Sequence, residues 1–194
     1  MCIFATVMTT AAIIISILFI LCLTSPVVTR SVGLLKEDDK PAQKFLIPLV
    51  FGITQGVAAV LGYNLGRLMA HLFAYVAEYM VFVMMLVVAV KMFVDSMRVL
   101  KGKMLYTVRS DWDILGLSVL AAMNTLLMSL MGFCFMPFGL WFMLAVVVAG
   151  FLWAFFTVRI EFNPGVLKKA SFIEFSAAVF MAVIAILYML TDLI

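Results

Sequence analysis

Six apolar runs separated by short polar or charged stretches organise the chain, near 3–26, 45–67, 74–96, 114–136, 139–158 and 172–193. Each is close to the about 20 residues a helix needs to cross the hydrocarbon of a bilayer. The pattern predicts an all-α integral membrane protein with six transmembrane helices, forming a single domain over 1–194. The link Phe135-Met136-Pro137-Phe138-Gly139 is short enough to make the fourth and fifth spans a hairpin.

Composition supports that reading. Hydrophobic residues make up 67% of the 194 and charged residues 12%, against about 25% charged in an ordinary soluble domain. The mean hydropathy is +1.27. A soluble globule of this size cannot hide so much apolar surface, so disorder, nucleic-acid binding and a secreted disulfide scaffold are excluded. Cys2, Cys22 and Cys134 have no CxxC spacing and read as small apolar residues. The first run lacks a basic leader and exceeds the usual signal-peptide core of about 7–15 residues, which makes it a transmembrane helix. With one histidine, no HExxH and no Ser/His/Asp set, no catalytic residue, enzyme activity or bound cofactor is expected.

The net charge of +3 comes from basic residues lying between apolar runs. Arg30, Lys36, Lys40 and Lys44 follow the first span. Arg98, Lys101, Lys103 and Arg109 follow the third, and Arg159, Lys168 and Lys169 the fifth. The opposite side has Arg67 alone, and Lys91 falls inside the third span. By the positive-inside rule the three basic loops are cytoplasmic and both termini are outside. The stretch Lys36-Glu37-Asp38-Asp39-Lys40-Pro41 reads as a solvated connector.

The chain also resembles itself. The third span runs from Glu78-Tyr79 to Asp95 and the sixth from Glu174-Phe175 to Asp192, while Arg67 and Arg159 close the second and fifth. This predicts two repeats, about 1–98 and about 110–194. Three helices being an odd number, the copies enter the membrane in opposite senses, as two inverted three-helix repeats. In transporters so built the substrate site lies near the midplane between the repeats.

Polar residues at that depth are therefore the candidate ion or solute pathway: Gln55 beside Thr54 in the second span, Asn124 in the fourth, and Thr24, Ser25 and the Pro26 break near the end of the first. Their side chains supply oxygens and amide donors, and Pro26 frees a backbone carbonyl one turn earlier. An interhelical amide clamp is the competing use of Gln55 and Asn124. Glu78, Asp95, Glu174 and Asp192 are expected near the membrane interfaces, with no carboxylate at mid-depth. Lys91 and Asp95 have the i, i+4 spacing of a structural ion pair. Gly52, Gly56, Gly62 and Gly66 provide close helix packing within the bundle, a homodimer seam being the alternative. The 16 methionines, including Met123, Met128, Met131 and Met136, read as apolar filler in preference to a Cu(I) path. His71 is expected at the interface.

Four stretches, in this order and spacing, resemble the bacterial MntP-type manganese efflux pumps of the LysE transporter superfamily. They are Phe51-Gly52-Ile53-Thr54-Gln55-Gly56 through Leu61-Gly62-Tyr63, Lys91-Met92-Phe93-Val94-Asp95-Ser96, Ala121-Ala122-Met123-Asn124 through Gly132, and Lys168-Lys169-Ala170. The resemblance implies a divergent transporter in the bacterial cytoplasmic membrane. It implies alternating access, the lipid bilayer as surroundings, and Mn²⁺ or another divalent cation as the transported ion, with Asn124 and Gln55 as the metal-facing residues. The family pattern has aspartates in the first and fourth spans and a glutamate in the second. The matching positions here are Pro26, Asn124 and Gln55, so the charge that offsets dehydration of a hard divalent ion is missing. The alternative is a non-transporting membrane scaffold or interaction protein that retains the fold.

Overall fold

A computed structural model describes residues 14–32, 34, 43–73, 77–101, 111–135, 139–160 and 164–192. Residues 3–13 of the first expected span, the 36–41 connector, residues 136–138 of the hairpin link, Cys2, Lys103 and Arg109 lie outside them. So do the side chains of His71, Glu78, Met131, Cys134 and Asp192.

Among the described residues all regular structure is α-helical: α1 (14–24), α2 (Pro26–Ser31), α3 (Gln43–Phe73), α4 (Ala77–Leu100), α5 (Asp111–Phe135), α6 (Gly139–Thr157) and α7 (Pro164–Asp192). Helices α1 and α2 are one span interrupted at Ser25. Pro26 has no N–H to offer the Cys22 carbonyl, which instead takes the Ser25 N–H at 3.2 Å, one residue short of the α-helical register. Among the described residues five stretches are long and apolar enough to cross a membrane: Ile14–Ser31, Lys44–Leu68, Tyr79–Leu100, Trp112–Leu130 and Gly165–Leu190. The apolar stretch Trp141–Thr157 in α6 is shorter.

Several ends differ from the sequence expectation, among them that of α3, which runs on to Phe73 and holds Arg67 within it. The first span continues past Pro26, so Arg30 lies within α2 and not in a loop. Helix α7 begins at Pro164, eight residues before the expected 172, and carries Lys168 and Lys169 exposed on its early turns. Proline suits a first helical position, where no N–H is needed. The extension moves Glu174 from the expected interface to a fully buried position, 1% exposed.

The helices are apolar toward the surroundings and hold their polar groups inside. Exposed positions include Val57, Leu61 and Leu65 on α3, Val83, Val87 and Val90 on α4, and Val183, Leu187 and Leu190 on α7. Gln55, Asn124, Thr125 and Ser171 have no exposed surface. Such a distribution suits a hydrocarbon solvent, because water would select the reverse.

Contacts fix the helix directions. Ser96 meets Ser171 while Phe93 meets Phe175, so α4 and α7 are antiparallel. Gly52 faces Phe151 and Gly56 faces Val147, so α3 and α6 are antiparallel too. Helix α5 runs parallel to α3, with Gln55 against Thr125 and Gly62 against Ser129. Glycine is needed at Gly62: an added Cβ would lie 2.5 Å from the Leu126 carbonyl oxygen and 2.7 Å from the Ser129 Cβ. Met85, Met92, Met128 and Met181 share one apolar cluster with Leu23, Val81, Val88 and Ala185, where they act as core filler.

Candidate functional site

A chain of buried polar side chains crosses the bundle from α2 to α5. Asp95 on α4 accepts from the Arg30 guanidinium on α2 at 3.0 Å. Lys91, one turn earlier on α4, places Nζ 3.6 Å from the same carboxylate oxygen. It donates to Asn124 Oδ1 on α5 at 2.6 Å. On the α7 side, Glu174 Oε2 accepts from the Thr29 hydroxyl at 2.7 Å. Arg30 is further held by the Pro26 carbonyl at 3.3 Å. Among the described residues two basic and two acidic groups thus come together, and their formal charges cancel.

The amides behave differently from each other. Thr125 donates to Gln55 Oε1, tying α5 to the middle of α3. Asn124, the preceding residue, turns its oxygen to Lys91 instead. Among the described residues neither Gln55 Nε2 nor Asn124 Nδ2 finds a hydrogen-bond partner, and the same holds for Ser25 Oγ, Ser129 Oγ, Arg30 Nε and Glu174 Oε1. Buried polar atoms without partners are costly, and here several lie on residues of one network.

The other sequence candidates are dispersed. Thr54 bonds its own helix, to the Val50 carbonyl at 2.9 Å, and lines an apolar cleft of about 200 Å³ between α3 and α5. Ser25 lines a second cleft of about 290 Å³, with Cys22, Trp153 and Phe180. Pro26 contributes its carbonyl, which accepts from Arg30 and lies 3.1 Å from the Thr29 hydroxyl oxygen. The i, i+4 pair Lys91 and Asp95 is in place, yet it is one edge of a larger network and not an isolated anchor.

Four members escaped sequence reasoning: Thr29, Arg30, Thr125 and Glu174. A signal for Glu174 exists, since Lys168 and Lys169 are the true polar flank of that span and leave the carboxylate inside it. Arg30 follows a proline-broken turn and is indistinguishable in sequence from a loop cation. Among the described residues no three His, Cys, Asp or Glu side chains converge as a metal cage.

The network brings oxygens and cations from α2, α4, α5 and α7 together inside the bundle. Residues 38–189 match the family Mntp, described as "Putative manganese efflux pump". No curated protein and no solved structure matches the chain.

Proposed function

Because the chain belongs to the MntP family of manganese efflux transporters, we propose that it exports a cation across the bacterial cytoplasmic membrane by alternating access between two inverted three-helix repeats. The observation that carries this reading is the network of Arg30, Lys91, Asp95, Asn124, Thr29 and Glu174, which joins helices of both proposed repeats inside the bundle. Ionisable groups inside a membrane bundle are expensive and mark ion pathways.

Helix pairing supports the inverted repeat. Exchanging spans one, two and three with four, five and six leaves the antiparallel pairs α3 with α6 and α4 with α7 unchanged. It turns the pair α3 with α5 into α6 with the first span, which touch through the Trp153 indole and the Leu21 carbonyl at 3.3 Å. It turns α4 with α5 into α7 with α2, which touch through Thr29 and Glu174. Gln55, Asn124, Thr54, Ser25 and Pro26 remain the proposed pathway residues, supplying neutral oxygens where the family pattern has carboxylates.

The proposed orientation has both termini outside. Arg159 supports it as an exposed cation at the end of α6, 3.7 Å above the Phe155 ring, a pairing suited to a basic membrane interface. Cysteines at positions 101 and 168, in a background lacking Cys2, Cys22 and Cys134, should resist an impermeant thiol reagent outside intact cells. Labelling at both would reverse the orientation.

Flux tests the transport reading. Purified protein in proteoliposomes should move a cation saturably above the leak of empty vesicles, assayed with Mn²⁺, Na⁺ and K⁺ in turn. No flux of any of them favours the scaffold reading, in which the Thr125 to Gln55 hydrogen bond is a clamp.

A further inference from the structure

We propose that the Lys91 ammonium is a tethered cation occupying an ion site built from Asn124 Oδ1 and the Asp95 carboxylate, and that a singly charged cation takes its place when the side chain withdraws. The inference rests on the transport reading and names its cargo class.

Geometry comes first. Oxygens from two helices meet at Nζ, Asn124 at 2.6 Å from α5 and Asp95 at 3.6 Å from α4. Asn124 has no exposed surface and its Nδ2 lacks a partner, so the amide contributes to this site through its oxygen alone. An ammonium needs the same acceptors that an alkali cation needs, and its single charge is spread over a comparable size.

Charge selects the valence. Arg30 from α2, Lys91 and Asp95 from α4 and Glu174 from α7 are the ionisable groups of the network, and they balance as they stand. When the ammonium leaves, one negative charge is uncompensated. A monovalent cation restores neutrality, whereas a divalent ion leaves one positive charge in excess in a low-dielectric interior, where such an excess is costly.

Mobility selects Lys91 as the group that moves. Its side chain is 31% exposed, against 5% for Arg30 and 13% for Asp95. Arg30 is pinned by two hydrogen bonds, to Asp95 and to the Pro26 carbonyl. The lysine stem is flexible and can swing its head off the two oxygens without moving α4.

The test removes the tether. Lys91→Met in the full chain, purified in detergent, is titrated with KCl and NaCl at constant ionic strength made up with choline chloride, and separately with MnCl₂. Unfolding temperature and titration heat are the readouts. The variant should gain saturable binding of K⁺ or Na⁺ about tenfold or more tighter than the native chain, with an unfolding temperature that rises with that ion and not with choline. Lys91→Arg, which keeps the charge, should show no gain, and Asn124→Leu added to Lys91→Met should abolish it. Should Lys91→Met aggregate, Lys91→Gln retains a donor to Asn124 and is purified in KCl, where the ion replaces the missing charge. Equal behaviour in K⁺, Na⁺ and choline overturns the proposal, as does a variant that fails to fold even in KCl, or a gain for Mn²⁺ over both monovalent ions. Vesicle flux separates the two readings: flux by the native chain with no gain in Lys91→Met removes the site alone, and a gain without any flux removes transport alone.

Discussion

Arg30 on α2 and Asp95 on α4 form an ion pair 3.0 Å long, with side chains 5% and 13% exposed, between residues 65 apart in sequence. Removing one partner of a buried pair strands the other charge, at a cost of about 3–5 kcal/mol. Asp95→Asn, which strands Arg30, should destabilise the protein by that order in a detergent unfolding titration, and Arg30→Met by less, because Lys91 remains 3.6 Å from Asp95. The double variant should lose less than the sum, because the two singles leave net charges of opposite sign. Strict additivity would show that the pair is not coupled.

The Thr125 hydroxyl is the hydrogen-bond partner of Gln55, whose amide nitrogen has none. In Thr125→Val both ends of a fully buried amide lack partners. The expected loss is about 1–3 kcal/mol, above the average of about 0.6 kcal/mol for interhelical bonds in membrane bundles. Thr125→Ser should retain most of the stability. Equal stability of the two variants would remove this bond from the account.

Two glycines make a matched pair. At Gly62 an added methyl meets the Leu126 backbone oxygen at 2.5 Å, an atom that cannot rotate away, whereas at Gly116 nothing lies within 4 Å. Gly62→Ala should force α3 from α5 and lower stability by about 1–3 kcal/mol. Gly116→Ala should be neutral, or stabilising by up to about 1 kcal/mol through helix propensity. Unfolding temperatures of the two proteins check the contrast.

Ser96 and Ser171 stitch α4 to α7 reciprocally, each hydroxyl donating to the other residue's carbonyl, at 2.9 and 2.8 Å, with the two Oγ atoms 3.1 Å apart. Cysteines at both positions, in a background without the native three, should form an intramolecular disulfide under mild oxidation, read as a reversible gel shift. Pairing of position 96 with 185 in place of 171 would refute the antiparallel register.

Much of this architecture was legible because length and hydropathy are local properties. The six apolar segments, the amides at Gln55 and Asn124 and the spacing of Lys91 to Asp95 all appear within one span each. Arg30 and Glu174 were misplaced for one physical reason. A reading by apolar length ends a span at its charges, but a helix continues through a charge that finds a partner on another helix. Arg30 finds Asp95, and Glu174 finds Thr29 at a separation of 145 residues. Such pairings are tertiary, so no window along the chain contains them. Gln55 and Asn124 are both fully buried, yet their oxygens turn to Thr125 and Lys91, choices that depend on neighbours from other spans.

Among the described residues the charges of the network already cancel, leaving nothing to offset a divalent ion. Calorimetric titration of Mn²⁺ into the purified native chain and into Gln55→Glu/Asn124→Asp tests it most directly. The two added carboxylates match the charge of one Mn²⁺, and the net charge of Arg30, Lys91, Asp95 and Glu174 stays zero. The cancellation predicts no saturable binding to the native chain and saturable binding to the double variant. Native binding as tight as that of the variant would contradict it.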